Sequence, residues 1–362
     1  MNYFKKFTWK KILSEFPQKS DFEIQKYYKI LSPDFPDFLK EYLRFDSVQR
    51  LKKIGLLCGT DWTSLYKNRF FYSRFDHSVA VALIIWNFTH DKKQTLSGLF
   101  HDISTPIFSH VVDFKNGDAL TQSFTESSTK KIILNDEKLC QKLATDKIQV
   151  EEICDYHIYP IADNEIPGLS ADRLEYMFPS GAALHNIWTL SEIKKVYDDI
   201  TILKNEQNKD ELGFKTLEIA ELYTKNFCKT SHILQLNENK LCLQLLAEIL
   251  NLAIKEKIIS EQDFFTLSEK EAISVFLNYK KSNEFSCLLK TFLNMKKIKH
   301  TSRPKKNHFC VNLKVKQRFI NPLVKNKNGS CRISEISKKS AKIIKDFLAF
   351  SDTKYGCVKL EN

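Results

Sequence analysis

The sequence predicts a mostly α-helical protein, a helical core followed by a small basic α+β module at the C-terminal end. Three observations predict it. Only 9 Gly and 9 Pro occur in 362 residues, too few for a turn-rich β-sandwich or a Gly-rich nucleotide-loop fold. Apolar residues make up 43% and charged residues 28%, a globular composition that excludes a disordered or collagen-like chain. After Met295 the pattern changes from apolar residues at helical spacing to alternation of apolar and polar ones.

The elements follow in order. Residues 1–45 read as an N-terminal segment of short helices, broken at the turn Ser32-Pro-Asp-Phe-Pro36. Residues 46–180 hold the long apolar stretches and most of the unusual residues, and form the expected core. Residues 181–294 read as a helical extension of it. Leu241–Ile259 is apolar at helical spacing, and Ser260-Glu-Gln-Asp263 suits a helix start. Residues 295–362 form the last unit. Phe309–Phe319 alternates like a strand, Lys325-Asn-Lys-Asn-Gly329 reads as a turn, Ser334–Phe350 as a basic amphipathic helix, and Val358-Lys-Leu360 as a final strand.

Charge divides the chain in the same place. From Lys290 onward there are 19 Lys and Arg against 4 Asp and Glu, whereas the preceding residues hold 37 basic and 40 acidic side chains. A basic end attracts phosphates, in nucleic acid or in nucleotides, unless it is only a solvated Lys-rich face. The longest apolar run, Val79–Trp86, has eight residues, against about 20 for a membrane span. Met1–Lys11 has four lysines and no apolar signal core. The nine cysteines are scattered without a C-x-x-C pair, so neither a disulfide framework nor a zinc finger is expected. The expected location is cytoplasmic, with no membrane contact.

Three of the nine histidines, His77, His101 and His110, fall within 34 residues. His77 opens an apolar helix, and Ala80, Val81 and Ile84 at i+3, i+4 and i+7 turn its ring inward. His101 and Asp102 close another apolar segment. A buried carboxylate there needs compensation, from a metal ion or from an arginine such as Arg74. Imidazole and carboxylate together suit divalent first-row metals. Asp172 offers a fourth ligand, on a helix that also presents Arg173 and Tyr176.

The order His77, His101-Asp102, Asp172 resembles the HD-domain superfamily of metal-dependent phosphohydrolases. The likeness is nearest to its deoxynucleoside triphosphate triphosphohydrolase branch. Val48–Ile54, Arg74-Phe-Asp-His77-Ser, the box ending Phe108-Ser-His110-Val-Val-Asp113, and Asp172-Arg173-Leu-Glu-Tyr176 each match a motif of that branch. The boxes cover about residues 46–180. The resemblance implies an HD-domain helical core and a divalent metal (Mn, Fe, Zn, Co, Ni or Mg) on His77, His101, Asp102 and Asp172. It also implies a nucleotide or other phosphoester substrate held by Arg74, Arg173 and Tyr176, and a homo-oligomer. His110, oriented by Asp113 at i,i+3, is the expected proton-transfer group, with Glu126 as a second candidate.

The departures are specific. Thr105 and Thr125 stand where the branch carries accessory histidines, and Gly55-Leu-Leu-Cys58 replaces its base-contacting segment. A phosphodiesterase or nucleotidase therefore stays open beside the triphosphohydrolase. So does a weakened HD protein that binds nucleotide or nucleic acid through its basic end.

Overall fold

The computed structural model describes residues 22–120, 128–327 and 329–361. Glu126 and Thr125 lie outside the described residues, as do residues 1–21 of the N-terminal segment. The protein is mostly α-helical with a small α+β part at its C-terminal end. Among the described residues no helix is long and apolar enough to cross a membrane.

The helices α1 (Ile24–Leu31) and α2 (Asp37–Tyr42) flank the Ser32–Pro36 break. The central helix is α3 (Arg74–Thr89). Its start is set by a capping box: Ser73 Oγ accepts from the Asp76 amide at 3.0 Å, and the Asp76 carboxylate accepts from the Ser73 amide. From His77 to Ile85 every residue of α3 is buried. Other helices cover it on all sides, so its sequence is an unbroken apolar run rather than a stripe.

Helix α4 (Lys92–Phe100), capped by Asp91, packs along α3. Gly98 makes that approach possible, since a Cβ there would collide with Ile85 Cδ1. Helix α5 (Val111–Lys115) is short. Helix α6 (Ala171–His185) starts at Ser170, whose Oγ accepts from the Arg173 amide at 3.2 Å, and packs on α3. Then come α7 (Leu217–Gln235), α8 (Asn237–Lys255), α9 (Glu269–Asn278) and α10 (Glu284–Asn294).

The region expected to be wholly helical, 181–294, contains a hairpin of β1 (Ile200–Lys204) and β2 (Asp210–Phe214). Its other strand partners lie in the last unit. Strand β2 pairs in parallel with β5 (Leu323–Asn326), which pairs antiparallel with β6 (Gly329–Arg332). One sheet, ordered β1-β2-β5-β6, thus joins residues from both sides of position 295. The second sheet orders β3 (Lys299–Thr301), β7 (Tyr355–Lys359) and β4 (His308–Val311) as β3-β7-β4. Helix α11 (Lys338–Ala349) lies on α7.

The alternating run to Phe319 becomes a strand only over β4. Beyond it residues 312–322 form no ladder. Their hydrogen bonds go elsewhere: the Lys316 amide donates to Ala119 O at 3.2 Å, and Gln235 Nε2 donates to Lys316 O at 2.9 Å. Cys310 and Cys357 sit opposite each other on β4 and β7 and form a disulfide. The sequence spacing showed no such pair, because the partners lie 47 residues apart and meet only through strand pairing.

Two apolar clusters divide the described core. One is built on α3, α4 and α6 and includes Leu56 and Leu57. The other is built on α8, α9 and α10 and includes Phe108, Val111 and Phe114. The site lies where they meet.

Candidate metal centre

Four side chains converge at the edge of a cavity of about 250 Å³. His77 comes from the first turn of α3, His101 and Asp102 from the end of α4, and Asp172 from the start of α6. His77 Nε2 lies 3.1 Å from His101 Nε2 and 3.1 Å from Asp172 Oδ1. Asp102 Oδ2 is 3.7 Å from His77 Nε2 and 3.6 Å from His101 Nε2, and Asp172 Oδ1 is 3.7 Å from His101 Nε2. Donor atoms sharing one first-row ion at about 2.1 Å stand roughly 3.0–3.4 Å apart. The two 3.1 Å spacings fall within that range, and the other three, at 3.6–3.7 Å, lie a few tenths of an ångström beyond it.

The far side of each imidazole is held by an acceptor. His77 Nδ1 donates to Glu175 Oε2, and His101 Nδ1 donates to Gly98 O at 2.7 Å. Both rings therefore present Nε2 lone pairs to the same point. Two imidazoles and two carboxylates facing one another in a buried site would be stabilised by a cation. Burial opposes charge on His77, yet Glu175, Asp172 and Asp102 outweigh it and push its pKa up to about 10. Burial also opposes charge on Asp102, but Arg74 and the two histidines hold its carboxyl well below the usual range.

Sequence reasoning missed Glu175. It is fully buried and accepts from Tyr27 OH at 3.0 Å and Tyr72 OH at 2.6 Å as well as from His77. Its spacing was the available clue: it lies three residues after Asp172, one helical turn on.

Of the two compensations open for Asp102, Arg74 is engaged in the structure. Arg74 Nη1 donates to Asp102 Oδ2 at 2.7 Å, and its Nε donates to Ser109 Oγ at 3.1 Å. Thr105 Oγ1 donates to Asp102 Oδ1 at 3.0 Å. Arg173 lines the cavity, but the hydrogen bonds of its guanidinium run to the 163–168 loop. Nη2 donates to Asp163 Oδ1 at 2.7 Å and Nε to Gly168 O at 3.0 Å. It fastens that loop to α6. Tyr176 borders the cavity, and burial raises its pKa to about 12 with Arg318 the main opposing charge.

His110 also faces the cavity. Its Nδ1 lies 2.9 Å from Asp113 Oδ2, the i,i+3 contact that the spacing allows. Burial lowers the His110 pKa, and the charges of Arg74 and Arg318 lower it further against Asp113. The loop before it is strained: Phe108 and Ser109 have φ of 59° and 53°. Glu269 holds it from α9, accepting from the Phe108 amide at 3.1 Å and the Gly55 amide at 3.0 Å. Ser109 Oγ donates to Gly55 O at 3.0 Å, closing the two loops on each other.

No known family profile matches the chain. The sequence is similar to the uncharacterized protein YdhJ of Bacillus subtilis (strain 168). The two share 26% identity over 255 residues, 69% of this chain and 74% of that protein. Two crystal structures have a similar fold. A phosphohydrolase from Bacteroides thetaiotaomicron superimposes with a TM-score of 0.58 at 14% identity, covering 91% of this chain and 97% of that one. A hypothetical protein from Aquifex aeolicus gives 0.56 at 15% identity, covering 90% and 93%. The chain shares its fold with a phosphohydrolase.

Proposed function

We propose that this chain is a metal-dependent phosphohydrolase of the HD-domain superfamily, acting on a nucleotide, with deoxynucleoside triphosphates the leading substrate class. One observation carries the reading. Two imidazole Nε2 atoms lie 3.1 Å apart, and an oxygen of Asp102 and one of Asp172 each lie 3.1–3.7 Å from them, at the edge of a cavity. The ordered motifs and the fold shared with a phosphohydrolase support it.

A divalent ion held by His77, His101, Asp102 and Asp172 would acidify a water and polarise a phosphoryl oxygen. The remaining work falls to the chain. Arg74 fixes the Asp102 carboxylate and places a guanidinium beside the reacting phosphate. Tyr176, its pKa raised, stays a phenol at neutral pH and can donate to a phosphate oxygen. His110 has its Nδ1 occupied by Asp113, which leaves Nε2 for proton transfer. Its lowered pKa keeps that nitrogen unprotonated at neutral pH, the state that accepts a proton.

A second reading has its own observation. Thr105, where the triphosphohydrolase branch carries a histidine, spends its hydroxyl on Asp102. An accessory proton-transfer group is therefore missing at that place, which favours a phosphodiester or phosphomonoester substrate. The test is a screen of the purified protein with Mn, Fe(II), Co, Mg and Zn against dNTPs, NTPs, monophosphates and cyclic nucleotides, with Asp102→Ala as control. Release of tripolyphosphate that needs metal and Asp102 supports the first reading. Phosphate release or ring opening of a cyclic nucleotide supports the second. Turnover unaffected by Asp102→Ala contradicts both.

A further inference from the structure

Helix α9 carries an acid where its apolar face calls for an aliphatic side chain. Glu269 is its first residue, and Ala272, Ile273 and Phe276, at i+3, i+4 and i+7, are buried in the second apolar cluster. Glu269 lies on the same line and is only 1% exposed. A buried carboxylate is costly unless donors compensate it. Three do, and all come from distant parts of the chain. Glu269 Oε1 accepts from the Gly55 amide at 3.0 Å and from the Phe108 amide at 3.1 Å. Its Oε2 accepts from Trp62 Nε1 at 2.8 Å.

The two amides belong to loops that border the cavity. Leu56, Leu57 and Cys58 line it from one loop, and His110 from the other. The second loop reaches His110 through Phe108 and Ser109, both fully buried and both in the left-handed region, at φ of 59° and 53°. Residues other than glycine keep that conformation only where their surroundings over-determine it. Here Glu269 holds the Phe108 amide and Ser109 Oγ donates to Gly55 O. The Phe108 ring packs on Gly59, where a Cβ would stand 3.1 Å from Phe108 Cδ1. One carboxylate oxygen therefore ties the two loops together. The amide it holds lies two residues before His110, and the Val111 amide closes the turn by donating to Phe108 O at 3.1 Å.

We propose that Glu269 is a positioning residue of the active site: it holds the Phe108–Ser109 turn against the Gly55 loop and so sets where His110 stands relative to the candidate metal centre. The role rests on the phosphohydrolase reading, in which His110 accepts a proton, and the experiment separates the two. What matters in this role is the reach of the side chain. Glutamine keeps an oxygen at the same distance for both amides. Aspartate, one methylene shorter, draws the acceptor back by about 1.5 Å.

Full-length Glu269→Gln, Glu269→Asp and Glu269→Ala, loaded with Mn(II), are compared with wild type on the nucleotide panel, with kinetics taken on the compound that wild type turns over fastest. Metal content and melting temperature are measured for each. Glu269→Asp should lower kcat at least about tenfold with KM within about threefold of wild type, since a misplacement of about 1 Å costs up to about 100-fold. Glu269→Ala should lose at least as much, and if it does not fold, the comparison of Asp with Gln decides. Glu269→Gln should recover most of the loss, and metal content should match wild type in every folded variant. In a His110→Gln background, Glu269→Asp should cost less than about threefold further, because residues that act through one group are not additive. A folded, metal-loaded Glu269→Asp with kcat within about twofold of wild type overturns the assignment and leaves the phosphohydrolase reading intact. So does a loss that appears in KM or metal content instead of kcat, or one that repeats in full beside His110→Gln, because Glu269 would then serve the fold at large. Metal-loaded wild type that turns over no compound of the panel overturns the phosphohydrolase reading, and this assignment with it.

Discussion

Replacing Glu175 by Gln turns one buried carboxyl into an amide at almost no change in volume, and it probes the candidate metal centre without touching a proposed ligand. Glu175 is fully buried, with Tyr27 and Tyr72 donating to Oε1 and His77 Nδ1 to Oε2. A glutamine keeps one acceptor oxygen and gains one donor. With its oxygen toward His77, the ring keeps its tautomer but loses a charge-assisted partner. With its nitrogen there, His77 Nδ1 must accept, Nε2 takes the proton, and the ligand is lost until the tautomer changes. Either outcome weakens the site. Substituting such an outer partner of a metal-binding histidine costs about 10–100-fold in metal affinity, or about 1.4–2.8 kcal/mol. The assay is a competition titration of Mn(II) or Zn(II) against a chelator at fixed pH. Tyr27→Phe is the control, since it removes a Glu175 donor and leaves His77 bonded; it should change affinity less than about threefold. Glu175→Gln binding metal within twofold of wild type would refute the argument that Glu175 sets the His77 tautomer.

Other outcomes follow from named contacts. Gly98→Val should push α4 off α3, because its Cβ meets Ile85; overpacking of this kind costs about 1–3 kcal/mol, read as a lower melting temperature with reduced metal content. Burial raises the Glu269 pKa from 4.5 to about 7. Between those values the folded chain binds more protons than the unfolded one, so stability falls as pH rises through the window. The loss is on the order of 3 kcal/mol, and Glu269→Gln should flatten the melting temperature against pH over that range; an unchanged profile would place the titration elsewhere. His110→Gln should lower kcat at least about 100-fold, the usual scale of general acid–base catalysis, with metal content unchanged in the same sample.

The four candidate ligands could be picked out of the sequence because their order and flanks are local text. His77 sits at a capped helix start, His101-Asp102 at a helix end, and Asp172 just after an N-cap serine. Their convergence in space follows from α3, α4 and α6 packing together, which an apolar run such as Val79–Trp86 anticipates. The contact of His110 with Asp113 was readable from spacing for the same reason. What was not readable depends on distant chain. Arg173 and Tyr176 lie one turn apart, which suggests a shared face toward substrate, but the carbonyls and carboxylate of the 163–168 loop take the guanidinium. Lys316 and Arg318 lie more than 200 residues from His77. Nothing within Val315–Pro322 announces that hydrogen bonds to Ala119 and Gln235 bring it to the cavity. The hairpin β1–β2 escaped notice because its strands have five residues each and its partner β5 comes over 100 residues later. The basic C-terminal composition was plain from the sequence, whereas the surface it lines was not.

The most direct test of the central claim measures metal content and turnover in the same samples. Wild type and Asp172→Ala are each dialysed against chelator, reloaded with Mn(II), assayed for bound metal, and then tested on the nucleotide panel. The wild type should regain about one bound ion per chain, the number a single set of four donors accommodates, together with metal-dependent release of phosphate or tripolyphosphate. Asp172→Ala should remain folded and lose both. An Asp172→Ala protein that keeps its metal and its full activity would contradict the assignment of this cluster as the catalytic centre.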